Sequence, residues 1–294
     1  MTALKKKKKL SAVGGDSRQF YITEFLEEMG VETLRYGISG GDALNNCNSL
    51  EEVLEGAEYL LLPIPVTRDG YRLNSSEDIM LSELIKLIPR DCIVFGGKMP
   101  PQIKDQLESL GISCVDYFDN KAYIWKNADI TAEGAVFQIM KELDISLSDS
   151  KILICGYGRI GKCLAKKLAS LGSEVTVAAR KEEDIMLASV YGGIGVDKLD
   201  YCREGIFDVS RRYDVILNTV PAWIFDANNK ELLTDSIYIE LASSPFGGEV
   251  EFMRKNCKKY IMSSGLPGKY APRSAAKAVF LSIIEYFEKE AERP

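Results

Sequence analysis

KILICGYGRIG, residues 151–161, is an apolar run that breaks into three glycines, Gly156, Gly158 and Gly161. Residues 152–155 have the unbroken apolar character of a buried parallel strand. Behind the glycines, Ile160, Leu164, Leu168 and Leu171 recur at helical spacing until Gly172 offers a C-cap. A strand, a G-x-G-x-x-G turn and a helix in that order form the dinucleotide-binding fingerprint. Gly156 permits the tight turn, Gly158 lets a pyrophosphate approach the backbone, and Gly161 lets the helix pack closely on the strand. Unbonded N–H groups at the helix start then face the phosphates, so Gly156, Tyr157, Gly158, Arg159, Ile160 and Gly161 are the expected cofactor contacts.

The next strand, residues 174–179, is expected to end where an acidic residue usually takes the ribose hydroxyls of NAD. The chain has Arg180 and Lys181 there. A guanidinium suits a ribose 2′-phosphate, which favours NADP, while Glu182 and Glu183 leave NAD open.

Of the 294 residues, 46% are hydrophobic and 27% charged, an ordinary balance for a globular protein with room for two cores. No apolar stretch has the length of a bilayer span and no signal peptide is visible, so a cytoplasmic location is expected, with no membrane partner. The seven cysteines are scattered without C-x-x-C pairs and read as reduced core thiols, neither disulfides nor zinc ligands. A net charge of −6 argues against nucleic acid as a partner. The lysines at 5–9 read as a solvated tail. The chain contains no histidine, which removes Ser-His-Asp and Cys-His hydrolases and histidine-based zinc sites, and no metal site is expected.

Upstream of the fingerprint the chain alternates strand, turn and helix. Strands are predicted at 10–13, 31–36, 59–62, 92–95 and 113–116, and amphipathic helices at 19–29, 49–54, 78–87 and 102–110; Ser49 with Glu52 reads as a capping box. Such alternation predicts a parallel sheet covered on both faces. The glycines at 14 and 15 are followed by Asp16, so this half is not read as a second nucleotide site. A long helix over 131–143 bridges to the fingerprint strand, and another over 274–291 returns at the C-terminus. The expected fold class is α/β, with two doubly wound parallel-sheet domains joined by bridging helices. Residues 1–130 form the substrate domain, on which helix 274–294 packs back, and residues 131–294 a Rossmann domain. Bridging helices of this kind predict a cleft between the carboxyl ends of the two sheets.

Three strand ends in the second half carry polar clusters: Asn218, Thr219, Val220 and Pro221 after 215–217; residues 242–245 after 237–241; and residues 264–269. These are where a doubly wound sheet presents groups to a nicotinamide and its ribose. In the first half the corresponding ends carry Asp16 and Arg18, Thr67 and Arg68, and Lys98. Several cations at neighbouring strand ends suit an anionic substrate, including one with two carboxylates.

The ordered set GGDSRQ, LLPIPVTRDG, FGGK, NADITAEGA, CGYGRIGK, NTVPAWIFD, ELASSPFGG and SGLPGKYAPRSAA resembles the family of dipicolinate synthase A subunits over nearly the whole chain. The resemblance implies a cytoplasmic NADP-dependent oxidoreductase of sporulation, which converts a dihydrodipicolinate-type intermediate of the lysine pathway to dipicolinate and works with a flavoprotein-like B subunit of the same synthase. The chemistry then asks for a dianion clamp, for which Arg18, Arg68, Lys98 and Lys269 are candidates, with Thr67, Thr131 and Ser244 bonding carboxylate oxygens. Asp16, Glu133, a neutral Lys98 or a water relay are the candidate proton acceptors. Another NADP-dependent dehydrogenase of a small carboxylic acid, or a non-catalytic nucleotide-binding regulatory protein, remain alternatives, and homo-oligomer formation is left open.

Overall fold

The computed structural model describes residues 9–40, 46–190, 194–198 and 211–291. The lysines at 5–8 and Cys202 lie outside them. Two compact units emerge, one of residues 1–127 with 267–294, the other of residues 128–266.

In the first unit the elements run β1 (Lys9–Val13), α1 (Ser17–Glu27), β2 (Glu32–Tyr36), α2 (Leu50–Leu54), β3 (Tyr59–Leu61), α3 (Leu81–Leu87), β4 (Ile93–Gly96), α4 (Pro101–Ser109) and β5 (Ser113–Asp116), and helix α5 (Lys121–Glu142) leads out. All five strands are parallel in the order β2-β1-β3-β4-β5, so the topological switch lies between β1 and β3. Alternation along β1 sends Leu10 and Ala12 to one face and Val13 to the other. The first face is covered by Ile22 and Leu26 of α1 and by Val279, Ile283 and Phe287 of the C-terminal helix.

The second unit continues with β6 (Lys151–Cys155), α6 (Arg159–Ser170), β7 (Glu174–Ala179), α7 (Glu182–Val190), β8 (Ile194–Lys198), β9 (Val215–Asn218), β10 (Ile237–Glu240), α8 (Val250–Asn256) and β11 (Lys259–Met262). The sheet order β11-β10-β9-β6-β7-β8 is wholly parallel and is the doubly wound dinucleotide-binding arrangement read from its far edge. Ile152, Ile154, Val175 and Val177 pack on one face with Leu164 and Leu168, while Leu153, Cys155 and Ile216 pack on the other with Phe225 and Met253. Helix α9 (Leu266–Tyr270) and α10 (Pro272–Ala291) close the chain. The return to the first unit begins at Pro267, so Gly268 and Lys269, read above with the second half, lie in the first.

Three local expectations are corrected. Helix α5 starts at Lys121, ten positions before 131, because Asn120 Oδ1 accepts from Tyr123 N–H (3.0 Å) and caps it. Helix α3 starts at Leu81, not 78, because Arg72 bridges Met80 and Leu81 N–H donates to Tyr71 C=O (2.9 Å). The Ser49–Glu52 pair is half a capping box: Ser49 Oγ accepts from Glu52 N–H, but Glu52 Oε2 takes the N–H of Asn48.

Candidate functional site

The turn after β6 has the geometry its glycines require. Gly156 has φ +97°, and a Cβ there would lie 2.6 Å from both Thr219 Oγ1 and Val220 Cγ2. A Cβ on Gly161 would lie 2.1 Å from the Gly156 carbonyl oxygen, so the helix rests directly on the turn. A Cβ on Gly158 would meet nothing within 4 Å. Gly158 is the N-cap of α6 and supplies no side chain to its first turn, which also holds no acidic residue. The first intrahelical bond runs from Lys162 N–H to Gly158 C=O (2.8 Å), so the N–H groups of residues 159–161 have no partner within the helix. A bare, uncapped helix start behind an open glycine fits a dinucleotide pyrophosphate.

Helix α1 occupies the equivalent position in the first unit and differs. Its N-terminus is closed by a capping box in which Asp16 takes Arg18 N–H (3.1 Å) and Gln19 Oε1 takes Asp16 N–H (3.1 Å). Those donors are already satisfied.

Around the second-unit turn, Arg159, Arg180 and Lys181 are exposed, the last two at the end of β7. Tyr157 differs from expectation. Its ring is buried in the core, with Lys162 Nζ 5.4 Å from its centroid, so only its backbone faces the turn. The side chain of Asn218 is likewise turned inward: Nδ2 donates to Val220 C=O (3.0 Å) and to Glu240 Oε1 (2.8 Å), and Oδ1 accepts from Val220 N–H (3.0 Å). Thr219 Oγ1 donates to Cys155 C=O (2.8 Å). Asn218 and Thr219 thus build the loop from within, and Val220 and Pro221 form its outer edge.

Glu240 was missed in the sequence. Buried at the end of β10, it accepts from Asn218 Nδ2 and Ala242 N–H (3.0 Å) at Oε1, and from Tyr238 Oη (3.1 Å) and Gly247 N–H (2.9 Å) at Oε2. Burial raises its pKa, and the hydrogen bonds from Gly247, Ala242, Asn218 and Tyr238 pull against that rise. The available signal was a carboxylate closing the otherwise apolar strand IYIE. Ser244 stands exposed in the following loop, before a cis Pro245.

The carboxyl end of the first sheet brings Asp16, Arg18, Thr67, Arg68 and Lys98 onto neighbouring loops. The loops after β3 and β4 are joined by Val66 N–H to Gly97 C=O (3.0 Å) and Gly97 N–H to Pro63 C=O (3.2 Å). Asp16 is not placed as a general base. Arg18 Nε and Nη2 clasp its two oxygens at 2.8 Å each. Partial burial raises the Asp16 pKa, but the hydrogen bond and charge of Arg18 outweigh this and hold it below the usual carboxylate range, with Arg68 adding to the effect. Arg18 is itself 7% exposed, and Nη2 also donates to Ile64 C=O (3.0 Å). Its Nη1 hydrogens have no partner among the described residues. Gly268 of α9 covers the pair: a Cβ there would sit 2.8 Å from Asp16 Oδ2 and 3.0 Å from Arg18 Nε.

Arg68 and Lys269 are exposed and make no ion pair among the described residues. Thr67 Oγ1 is occupied in its own turn, donating to Asp69 Oδ1 (3.2 Å) and accepting from Gly70 N–H (3.0 Å). Lys98 sits at φ +50° with its Nζ 4.9 Å from the Phe118 ring centroid. Thr131 is buried on α5. Glu133 is corrected: it lies on the exposed side of α5, where Lys167 pairs with both Glu133 (3.1 Å) and Asp129 (2.7 Å), which is a surface ion-pair cluster and not a catalytic position. Among the described residues no cluster of Cys, Asp and Glu is placed to hold a metal, and no helix is long and apolar enough to cross a membrane.

Comparison with known proteins agrees with this geometry. Residues 9–118 match the family described as the N-terminal domain of the dipicolinate synthase A subunit. The A subunit of dipicolinate synthase from Bacillus subtilis (strain 168) is 25% identical over 281 residues, 92% of each chain. The crystal structure of the dipicolinate synthase A chain from Bacillus subtilis superposes with a TM-score of 0.81 at 23% identity, covering 100% of both chains. That of the A subunit from Bacillus halodurans superposes with a TM-score of 0.79 at 24% identity, covering 98% of both. Residues 9–118 are thus similar to the N-terminal domain of dipicolinate synthase A subunits, and the chain is similar to such a subunit over nearly its whole length.

Proposed function

We propose that the chain is the oxidoreductase component of a dipicolinate synthase, which takes a dihydrodipicolinate-type dicarboxylate to dipicolinate with NADP and works beside a flavoprotein-like B subunit. The observation that carries the reading is the turn at Gly156, Gly158 and Gly161, with its open middle glycine and uncapped helix. The bound nicotinamide would accept a hydride from the ring carbon. The chain's residues bind and orient. Residues 156–161 hold the pyrophosphate, Arg180 and Lys181 the ribose 2′-phosphate, and Val220 and Pro221 border the nicotinamide side. In the first unit Arg18 offers Nη1 to a substrate carboxylate, with Arg68, Lys98 and Lys269 supplying further positive charge. With Asp16 clasped and Glu133 paired elsewhere, and Lys98 acting as a cation, the ring proton leaves through a water relay.

The test mixes the purified chain, with and without the B subunit, with NADP and freshly made dihydrodipicolinate precursor. Growth of the reduced-nicotinamide absorbance together with dipicolinate is the expected result; cofactor binding with no reduction in either mixture would overturn it. The choice of NADP is tested separately. Arg180→Asp is expected to weaken NADPH binding about tenfold or more while leaving NADH binding within about twofold, as loss of a charge-assisted contact to the 2′-phosphate requires. Equal NADPH affinity in the variant would show that Arg180 does not read the phosphate.

A further inference from the structure

Glu240 has no part in the chemistry proposed above, yet at 1% exposure it is a buried carboxyl group on which four donors converge. An ionised carboxylate only accepts, so it can serve all four at once, whereas an amide would turn N–H groups against some of them. The four donors come from three places. Tyr238 belongs to β10 itself, Ala242 and Gly247 bracket the loop that carries Ser244, and Asn218 ends β9.

The connection runs on to the cofactor turn. Asn218 returns its amide to both backbone groups of Val220, and Val220 with Thr219 stands against the bare Cα of Gly156. The loop after β10 is tied back as well, because Ile224 and Phe225 N–H groups donate to Gly247 C=O (2.7 and 2.8 Å). Gly247 cannot carry a side chain there: a Cβ would lie 2.2 Å from Tyr238 Oη and 2.8 Å from Asn218 Nδ2. The loops at the ends of β6, β9 and β10 therefore meet through one carboxylate and one amide.

We infer that Glu240 is a positioning residue of the dinucleotide site, holding the 218–225 and 242–247 loops as one piece against the glycine turn. The inference rests on the dinucleotide reading of the second unit. The cofactor touches the loops, not Glu240, so the carboxylate acts through Asn218 and the loop amides.

The experiment titrates NADPH, and NADH in parallel, into the full chain and follows energy transfer from tryptophan to the reduced nicotinamide. A Trp125→Phe background leaves Trp223, exposed on the 218–225 loop, as the only donor. Glu240→Gln is expected to weaken binding about tenfold or more and to lower the transfer at saturation, since misdirected N–H groups displace the loops. Leu232→Ala, a buried core truncation in the same unit, supplies the stability control. It is expected to lower the melting temperature and leave the affinity unchanged. Unchanged affinity and transfer in Glu240→Gln, or an equal loss in Leu232→Ala, would overturn the inference. Failure of the parent chain to bind either nucleotide would instead remove the dinucleotide reading. Should Glu240→Gln not fold, hydrogen exchange of the parent chain decides. The amides of Val220, Ala242 and Gly247 are expected to gain protection together on NADPH binding, and protection confined to residues 156–161 would refute the linkage.

Discussion

Gly161→Ala is expected to abolish measurable dinucleotide binding and to destabilise the second unit. The added Cβ would stand 2.1 Å from the Gly156 carbonyl oxygen and 3.0 Å from its carbonyl carbon, both backbone atoms with no rotamer to change. Either α6 moves off the turn or the turn opens, and both displace the N–H groups of residues 159–161 from a common point. Overpacking of this kind costs about 1–3 kcal/mol of stability. Loss of several aligned N–H contacts is expected to weaken NADPH binding by about a hundredfold or more. Gly158→Ala separates the two effects. A Cβ at Gly158 meets no protein atom and its φ of −71° suits alanine, so stability is expected to change little. Affinity is nevertheless expected to fall, because the space the Cβ enters is that assigned to the pyrophosphate. Calorimetric titration and thermal unfolding of both variants check this. Gly158→Ala binding NADPH like the parent chain would show that the phosphates do not approach that glycine.

Much of the architecture was legible because its signals are local. The buried strands KILIC and EVTVAA carry unbroken apolar runs, and β7 was expected at the bounds it has, residues 174–179. The glycine pattern likewise reports close contacts between neighbours in sequence, so a turn at 156–161 was predictable from spacing. Legibility failed where a polar side chain is taken up by partners of its own chain, near or far, that its position at a strand end does not announce. Asp16 and Asn218 are polar residues at strand ends, as active-site groups are, yet Asp16 is consumed by a cap and a clasp and Asn218 by a loop and Glu240. Whether such a residue faces a ligand or its own backbone depends on the full set of competing donors, which sequence spacing does not reveal. Glu133 failed for another reason: its place on an exposed helical stripe follows from the packing of α5, and α5 begins ten residues earlier than its composition indicated.

Arg18→Met is expected to reduce kcat/KM for the dicarboxylate by about a hundredfold to a thousandfold, while NADPH affinity stays unchanged. Arg18 belongs to the first unit and the glycine turn to the second, so the two readouts report separate sites. Three of the five guanidinium hydrogens are spent on Asp16 and Ile64, which fixes the plane of the group and leaves the Nη1 pair to a ligand. Two charge-assisted bonds from Nη1 to oxygens of the dianion are worth about 3–4 kcal/mol, which sets the expected loss. Methionine keeps much of the buried volume, so the loss reports the guanidinium more than a cavity. Asp16→Asn then distinguishes an orienting carboxylate from a base. Asparagine retains an oxygen for Arg18 N–H but turns an amide toward the guanidinium, so KM is expected to rise with kcat largely kept. A general base would give the reverse, a collapse of kcat at unchanged KM. The acid limb of stability adds a third check. Because the folded-state pKa of Asp16 is depressed, its ion pair stabilises the fold at pH above the ordinary carboxylate value and the contribution fades as pH falls through the lower, folded value. Asp16→Asn is therefore expected to cost stability at neutral pH and to narrow its difference from the parent chain below about pH 4, as urea unfolding across that range would show. A constant difference at all pH values would mean that the pair contributes packing alone, and Arg18 would then need another source for its orientation.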